Sequence, residues 1–144
     1  MFASLLLPVD LGAADTWARP LHFALELCRV GATELHVVTV MPDYGMPIVG
    51  SQFDPSYAED AMQDIARHLE AWRSDNVPDD ITCHLHVENG PIYDRIMYLA
   101  NRLAVEAIVI GAHKPEMKDY LLGTNAARVV RHAKQSVLVV RAPA

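Results

Sequence analysis

The feature of this sequence that most constrains its fold is an alternation between short apolar runs and helical patterns. Four runs are mainly apolar and rich in β-branched residues, which is typical of strands buried on both faces of a parallel sheet. They are Leu5–Val9, Leu35–Val40, Ala107–Ile110 and Val137–Val140. A fifth run, residues 81–88, alternates apolar and polar side chains. One of its faces therefore meets water, and we expect this strand at a sheet edge.

The segments between these runs carry apolar residues at helical spacing. The apolar stripes span Leu21–Cys28, Ala58–Trp72, Ile92–Leu103 and Ala126–Ala133. Gly31 is a plausible end of the first helix, Asp54 is the predicted cap of the second, and the fourth is predicted to begin at Gly123 and Thr124. Strict alternation predicts one α/β domain over residues 1–144. Its Rossmann-like sheet has five parallel strands, doubly wound, with helices on both faces.

Composition excludes several classes of function. The net charge is −6 and no basic tract occurs, which argues against a nucleic-acid partner. No apolar run approaches the roughly 18 residues that span a bilayer, and the amino terminus lacks the basic region of a signal peptide. Cys28 and Cys83 are not at CxxC spacing and are expected to be reduced, buried thiols. We therefore expect a cytoplasmic protein without a membrane partner.

Ligands of open parallel sheets bind beyond the carboxyl ends of the strands, where strand order reverses. The residues that end the apolar runs are Pro8, Val9 and Asp10, then Thr39 and Val40, then Ile110, Gly111, Ala112 and His113. Asp10 can accept a hydrogen bond from a ribose hydroxyl or cap the turn before the first helix. Its position alone does not separate these two roles.

A second candidate feature is the predicted start of the fourth helix. Gly123 lets a phosphate approach the backbone N–H groups, and Thr124 and Asn125 add side-chain donors. The same residues also suit an ordinary N-cap. Neither a P-loop nor a GxGxxG fingerprint is present in the sequence.

The seven histidines do not form a recognisable metal or catalytic motif. His84 and His86 fall on the polar side of the edge strand and are expected to be solvated, so no metal site is predicted. His113 and Lys114 follow a strand end and can face a phosphate. No Ser/His/Asp or Cys/His arrangement follows from spacing, and no catalytic residue is assigned.

Segments along the whole chain resemble, in order, those of the universal stress protein family. They are residues 7–10, 35–40, 88–91, 107–113, 121–127, 129–133 and 137–141. The resemblance implies five parallel strands with helices on both faces, usually in a homodimer. It also implies a regulatory protein of the stress response. The nucleotide-binding branch of the family carries a G-x2-G-x9-G-[ST] pattern at the fourth strand and fourth helix.

The resemblance implies specific roles in an ATP or AMP site, with or without Mg²⁺. Gly111 matches the first glycine, near the ribose and phosphates, and is flanked by Ile110, Ala112 and His113. Gly123 and Thr124 match the closing pair, with Asn125 as a further phosphate contact. Adenine and ribose would be framed by Pro8, Val9, Asp10 and Val40.

The second glycine of the pattern does not match. Lys114 replaces it, and eight residues rather than nine precede Gly123. Lys114 either blocks a triphosphate or supplies an ammonium in place of lost backbone contacts. The stretches His113–Pro115 and Leu121–Asn125 resemble a family subgroup associated with nucleotide binding, which favours the second alternative.

Three functions are compatible with the sequence. The leading hypothesis is a nucleotide-controlled switch with an unidentified protein partner. The alternatives are weak ATP hydrolysis or self-phosphorylation at Thr124 or His113, and a nucleotide-free dimeric adaptor whose interface is the Met41–Phe53 loop. A bare apolar edge is a liability unless it is paired, and the resemblance implies that Val137–Val140 pairs with its copy in the homodimer. The other possibility for this strand is the sheet interior.

Overall fold

The computed structural model describes residues 1–41, 55–112 and 121–143. Within these ranges it describes all side chains except those of residues 55–57 and 121–124. Residues 42–54, with the Asp54 cap, and both His113 and Lys114 lie outside the described residues. Strands and helices alternate as expected. Their bounds are β1 Ser4–Pro8, α1 Ala14–Gly31, β2 Glu34–Met41, α2 Pro55–Asn76, β3 Cys83–Asn89, α3 Ile92–Leu103, β4 Ala107–Gly111, α4 Leu121–His132 and β5 Ser136–Val140.

The five strands form one parallel sheet in the order β3-β2-β1-β4-β5. The alternating strand, β3, is at one edge, which confirms the expectation from its polar face. The last strand, β5, is at the other edge, and Leu138 on it is 40% exposed. The prediction that β5 is an edge strand is therefore confirmed, and the interior alternative is wrong.

Each face of the sheet is covered by two helices. Leu5 and Leu7 of β1 pack in the cluster that contains the buried residues of α1 and α2. Leu6, between them, packs in the cluster of α3 and α4. All three leucines have no exposed surface, as expected for a central strand whose successive side chains point to opposite faces.

The two helices α1 and α3 end in the same way. The residues after them, Ala32 and Ala104, adopt the left-handed conformation with φ of 50° and 53°. The N–H of Ala32 donates to the carbonyl of Cys28, which closes the last turn of α1. The predicted end at Gly31 is thus the last helical residue, and an alanine takes the capping position that usually favours glycine.

Both cysteines are free and buried, as the sequence predicted. Burial raises the pKa of the Cys28 thiol to about 11 and also raises that of Cys83. Within the described ranges, none of the helices combines the length and apolar character that a membrane span requires.

Candidate functional site

The sheet reverses its winding direction at β1. From β1 the chain adds β2 and then β3 on one side, and it returns past β1 to add β4 and β5 on the other. Strands β1 and β4 are therefore neighbours whose following segments leave in opposite directions. In a sheet of this type such a point opens a crevice beyond the carboxyl ends of the two strands.

The ladder between β1 and β4 ends early. Its paired residues are Leu5 with Ala107 and Leu6 with Ile108, although β1 continues to Pro8 and β4 to Gly111. By contrast, β1 stays paired with β2 up to Pro8. The two strands therefore separate over their last residues, which places the opening of the crevice between them.

Pro8 accounts for this separation. Even-numbered residues of β1 bond towards β4, since the Ser4 carbonyl accepts from the Glu106 N–H at 3.1 Å. Odd-numbered ones bond towards β2, since the Val9 N–H donates to the Val38 carbonyl at 2.8 Å. Pro8 is the last even-numbered residue of β1, and it has no N–H to donate to β4. The sequence already contained this signal, but it becomes readable only once the strand order is known.

Asp10 follows β1 at the rim of the crevice. Its Oδ1 accepts from the Gly12 N–H at 3.1 Å, and its carbonyl accepts from the Ala13 N–H at 3.0 Å. Asp10 thus shapes the turn into α1, which is one of its two predicted roles. Its side chain remains exposed, so the carboxylate is also accessible to a ligand.

The apolar residues predicted at the site differ in whether their side chains or only their backbones are accessible there. Val9 and Ile110 are buried core residues, so only their backbone faces the ends of the strands. Val40 is partly buried and packs against the α3–α4 cluster. Of these three side chains, Val40 is the one that retains accessible surface for an apolar ligand.

Gly111 and Ala112 line a described cavity of about 200 Å³. Gly111 pairs with Val140, and the Ala112 N–H donates to the Val140 carbonyl at 2.9 Å. The other walls come from α1 and the residues after β5, and they include Arg19 and Arg141. Pro8, Val9, Asp10, Val40 and Ile110 do not line this cavity. Sequence reasoning missed the two arginines, because no spacing pattern marks them.

Helix α4 begins at Leu121, two residues before the predicted start at Gly123. Leucine is a better helix former than glycine, so Leu121 and Leu122 extend the first turn. The N–H of Gly123 remains within that turn, where backbone donors have no intrahelical acceptor among the residues that the structure describes. Because α4 follows β4 and leads to the start of parallel β5, its N-terminus faces the same edge of the sheet as Asp10 and Gly111. Asn125, one turn in, is partly buried.

Comparison with known proteins gives consistent matches over the whole chain. The profile of the Universal stress protein family matches residues 1–141. Universal stress protein G of Shigella flexneri is 29% identical over 143 residues, which cover 98% of this chain and 100% of that protein.

Two solved structures illustrate the likeness in fold. Hypothetical protein MJ0577 superimposes on this chain with a TM-score of 0.81 at 20% identity. The superposition covers 100% of this chain and 99% of the MJ0577 chain. The universal stress protein from Archaeoglobus fulgidus in complex with dAMP has a TM-score of 0.58 at 21% identity, covering 94% and 95%. At these identities the structures share the fold described above.

Proposed function

Because this chain belongs to the universal stress protein family, we propose that it binds an adenine nucleotide in the crevice beyond β1 and β4. The observation that carries this proposal is the early end of the β1–β4 ladder at Leu6 and Ile108. Asp10 and Gly111 stand on its two sides, and the N-terminus of α4 faces the same edge. The dAMP complex of the Archaeoglobus fulgidus protein supports adenine as the base.

The expected contacts divide along the nucleotide. Val40 offers apolar surface to the adenine beside Pro8 and the backbone of Val9, while the free carboxylate oxygen of Asp10 accepts from a ribose hydroxyl. On the other strand, the backbone of Ile110, Gly111 and Ala112 passes the sugar and the first phosphate.

The phosphates would lie at the N-terminus of α4. The Gly123 N–H and the positive end of the helix dipole favour an anion there, and Thr124 and Asn125 add polar side chains. His113 and Lys114 belong to the segment before α4, and the Lys114 ammonium would compensate for the missing second glycine. The ligand is then ATP or AMP, and ATP would carry Mg²⁺.

The nucleotide would act as a regulatory signal in a cytoplasmic homodimer of the stress response. Strand β5 supports the dimer, because it is an edge strand with its Leu138 side chain partly exposed. Two such edges satisfy their backbone groups by pairing across a two-fold axis. A change of bound nucleotide would then alter the surface offered to a protein partner.

Calorimetric titration of the nucleotide-stripped protein with Mg-ATP and with AMP tests the proposal. We expect binding with a Kd on the order of micromolar for at least one ligand, lost in Gly123→Val because the added side chain fills the phosphate approach. Ala127→Val is the matched control, since Ala127 is exposed one turn further along α4. Tighter binding of ATP than of AMP, reversed in Lys114→Ala, would assign the lysine to the phosphates. No heat from a folded protein with either ligand would refute the proposal.

A further inference from the structure

A second cluster of polar side chains lies away from the crevice, on β2 and the edge strand β3. Glu34 and His36 are on β2, and His84 and His86 are on β3. His36 and His84 are register partners, and residues two apart on a strand share a face. All four side chains therefore project from one face of the sheet, the face that α3 covers.

The sequence predicted His84 and His86 as solvated residues on the polar side of the edge strand, and His84 is exposed. The structure also brings both to His36, whose ring is partly buried. The rings of His36 and His84 stack with centroids 4.8 Å apart and planes 24° apart. His36 Nδ1 and His86 Nε2 form a hydrogen bond at 2.9 Å, and His84 Nε2 lies 3.7 Å from Glu34 Oε1. This proximity depends on the β2–β3 register.

Three of these residues present the donor atoms of a metal site. One ligand atom each from Glu34, His36 and His84 lie within 4.8 Å of one another. Tetrahedral zinc with bonds of about 2.0–2.1 Å needs its ligand atoms roughly 3.3 Å apart. The side chains of Glu34 and His84 are 55% and 46% exposed, so rotation about their own bonds can close this difference.

The remaining residue, His86, fits the position of an outer partner. Histidines that bind a metal through one ring nitrogen usually hydrogen-bond through the other, which fixes the ring orientation. The bond between His36 Nδ1 and His86 Nε2 leaves His36 Nε2 available.

We propose that Glu34, His36 and His84 bind one divalent transition-metal ion, Zn²⁺ in the first instance, with His86 positioning the His36 ring. Two imidazoles and a carboxylate suit zinc and its neighbours rather than Mg²⁺ or Ca²⁺, which prefer all-oxygen sites. With three protein ligands, the fourth position is left to water. The ion would join the edge strand to β2, in the amino-terminal half of β2 and away from the nucleotide crevice.

Titration of chelator-treated, nucleotide-free protein with Zn²⁺ and with Co²⁺ tests the proposal. We expect one equivalent of Zn²⁺ to bind and Co²⁺ to give the intense visible absorption of a four-coordinate complex. Zn²⁺ affinity should fall at least tenfold in His84→Ala and in Glu34→Gln, and about tenfold in His86→Gln. Glu34→Gln removes only the charge of an exposed side chain, so it remains informative if His84→Ala does not fold.

The control is His68→Ala, which removes an exposed histidine from α2 and should leave both titrations unchanged. Gly123→Val should also retain zinc, which separates this site from the nucleotide proposal. Equal Zn²⁺ affinity in wild type, His84→Ala and Glu34→Gln would overturn the inference. The inference would also be overturned if Co²⁺ gave no more than the weak visible absorption of a six-coordinate complex.

Discussion

Replacing the alanines that end α1 and α3 by glycine should stabilise the protein. Ala32 and Ala104 are exposed and have φ, ψ angles of 50°, 43° and 53°, 41°. The left-handed conformation costs an L-residue roughly 1–2 kcal/mol. Glycine avoids this cost, but its greater conformational entropy stabilises the unfolded chain by about 0.4–1 kcal/mol. We therefore expect each substitution to raise the free energy of unfolding by about 0.5–1 kcal/mol.

The gains should be nearly additive, because α1 and α3 pack on opposite faces of the sheet. The double variant would gain about 1–2 kcal/mol, equivalent to roughly 4–8 °C in Tm at about 4 °C per kcal/mol. The capping hydrogen bonds persist, since the N–H of Ala104 donates to Ala100 and Asn101 through the backbone.

Urea unfolding followed by circular dichroism measures the effect, in nucleotide-free protein at one protein concentration. The matched control is Ala71→Gly, an exposed position inside α2. At that position the substitution should lower the free energy of unfolding by about 0.5–1 kcal/mol. If Ala32→Gly and Ala104→Gly lose as much stability as Ala71→Gly, the conformational argument is wrong.

Asp10, Leu138 and Cys28 allow separate tests of the ribose contact, the dimer interface and the buried core. Asp10→Asn keeps an oxygen that can accept from the Gly12 N–H, so the fold should be preserved. We expect nucleotide affinity, measured by calorimetry, to fall about tenfold. Equal affinity in the variant and the wild type would exclude a ribose contact by the carboxylate. Leu138→Lys should convert a dimer to monomers in light scattering at unchanged helix content, and a persisting dimer would place the interface elsewhere. The raised pKa of Cys28 means that the unfolded thiol ionises near 9.0 but the folded one near 11, so stability should fall as the pH rises through this range. Urea unfolding at successive pH values should show a smaller fall in Cys28→Ala, and an identical fall would assign the loss to other groups.

Much of the fold could be predicted because its strands differ in burial. Runs such as Ala107–Ile110 have no polar face, which requires cover on both sides, whereas residues 81–88 show one polar face and belong at an edge. Helix boundaries were less accurate. Gly123 resembled a helix start, but the preceding leucines extend α4 to Leu121.

The contents of the crevice could be predicted only in part, because strand ends show position but not side-chain direction. Val9 and Ile110 are the last residues of their apolar runs, which made them candidates for the site, yet both side chains belong to the core. Arg19 and Arg141 reach a neighbouring cavity through packing between α1 and the residues after β5, which local sequence does not encode.

The two candidate sites place opposite demands on strand register. The crevice requires the β1–β4 ladder to stop, and a proline at the position that bonds towards β4 provides a local reason for this. The histidine cluster requires the β2–β3 ladder to continue without a bulge, since a slip of one residue would turn His84 to the opposite face from His36. An interrupted ladder can depend on one residue, here Pro8, whose effect becomes readable once the strand order is known, whereas a preserved register is a property of two distant segments. The crevice could be anticipated because the alternation of strands and helices predicted an open parallel sheet, and the meeting of the histidines could not.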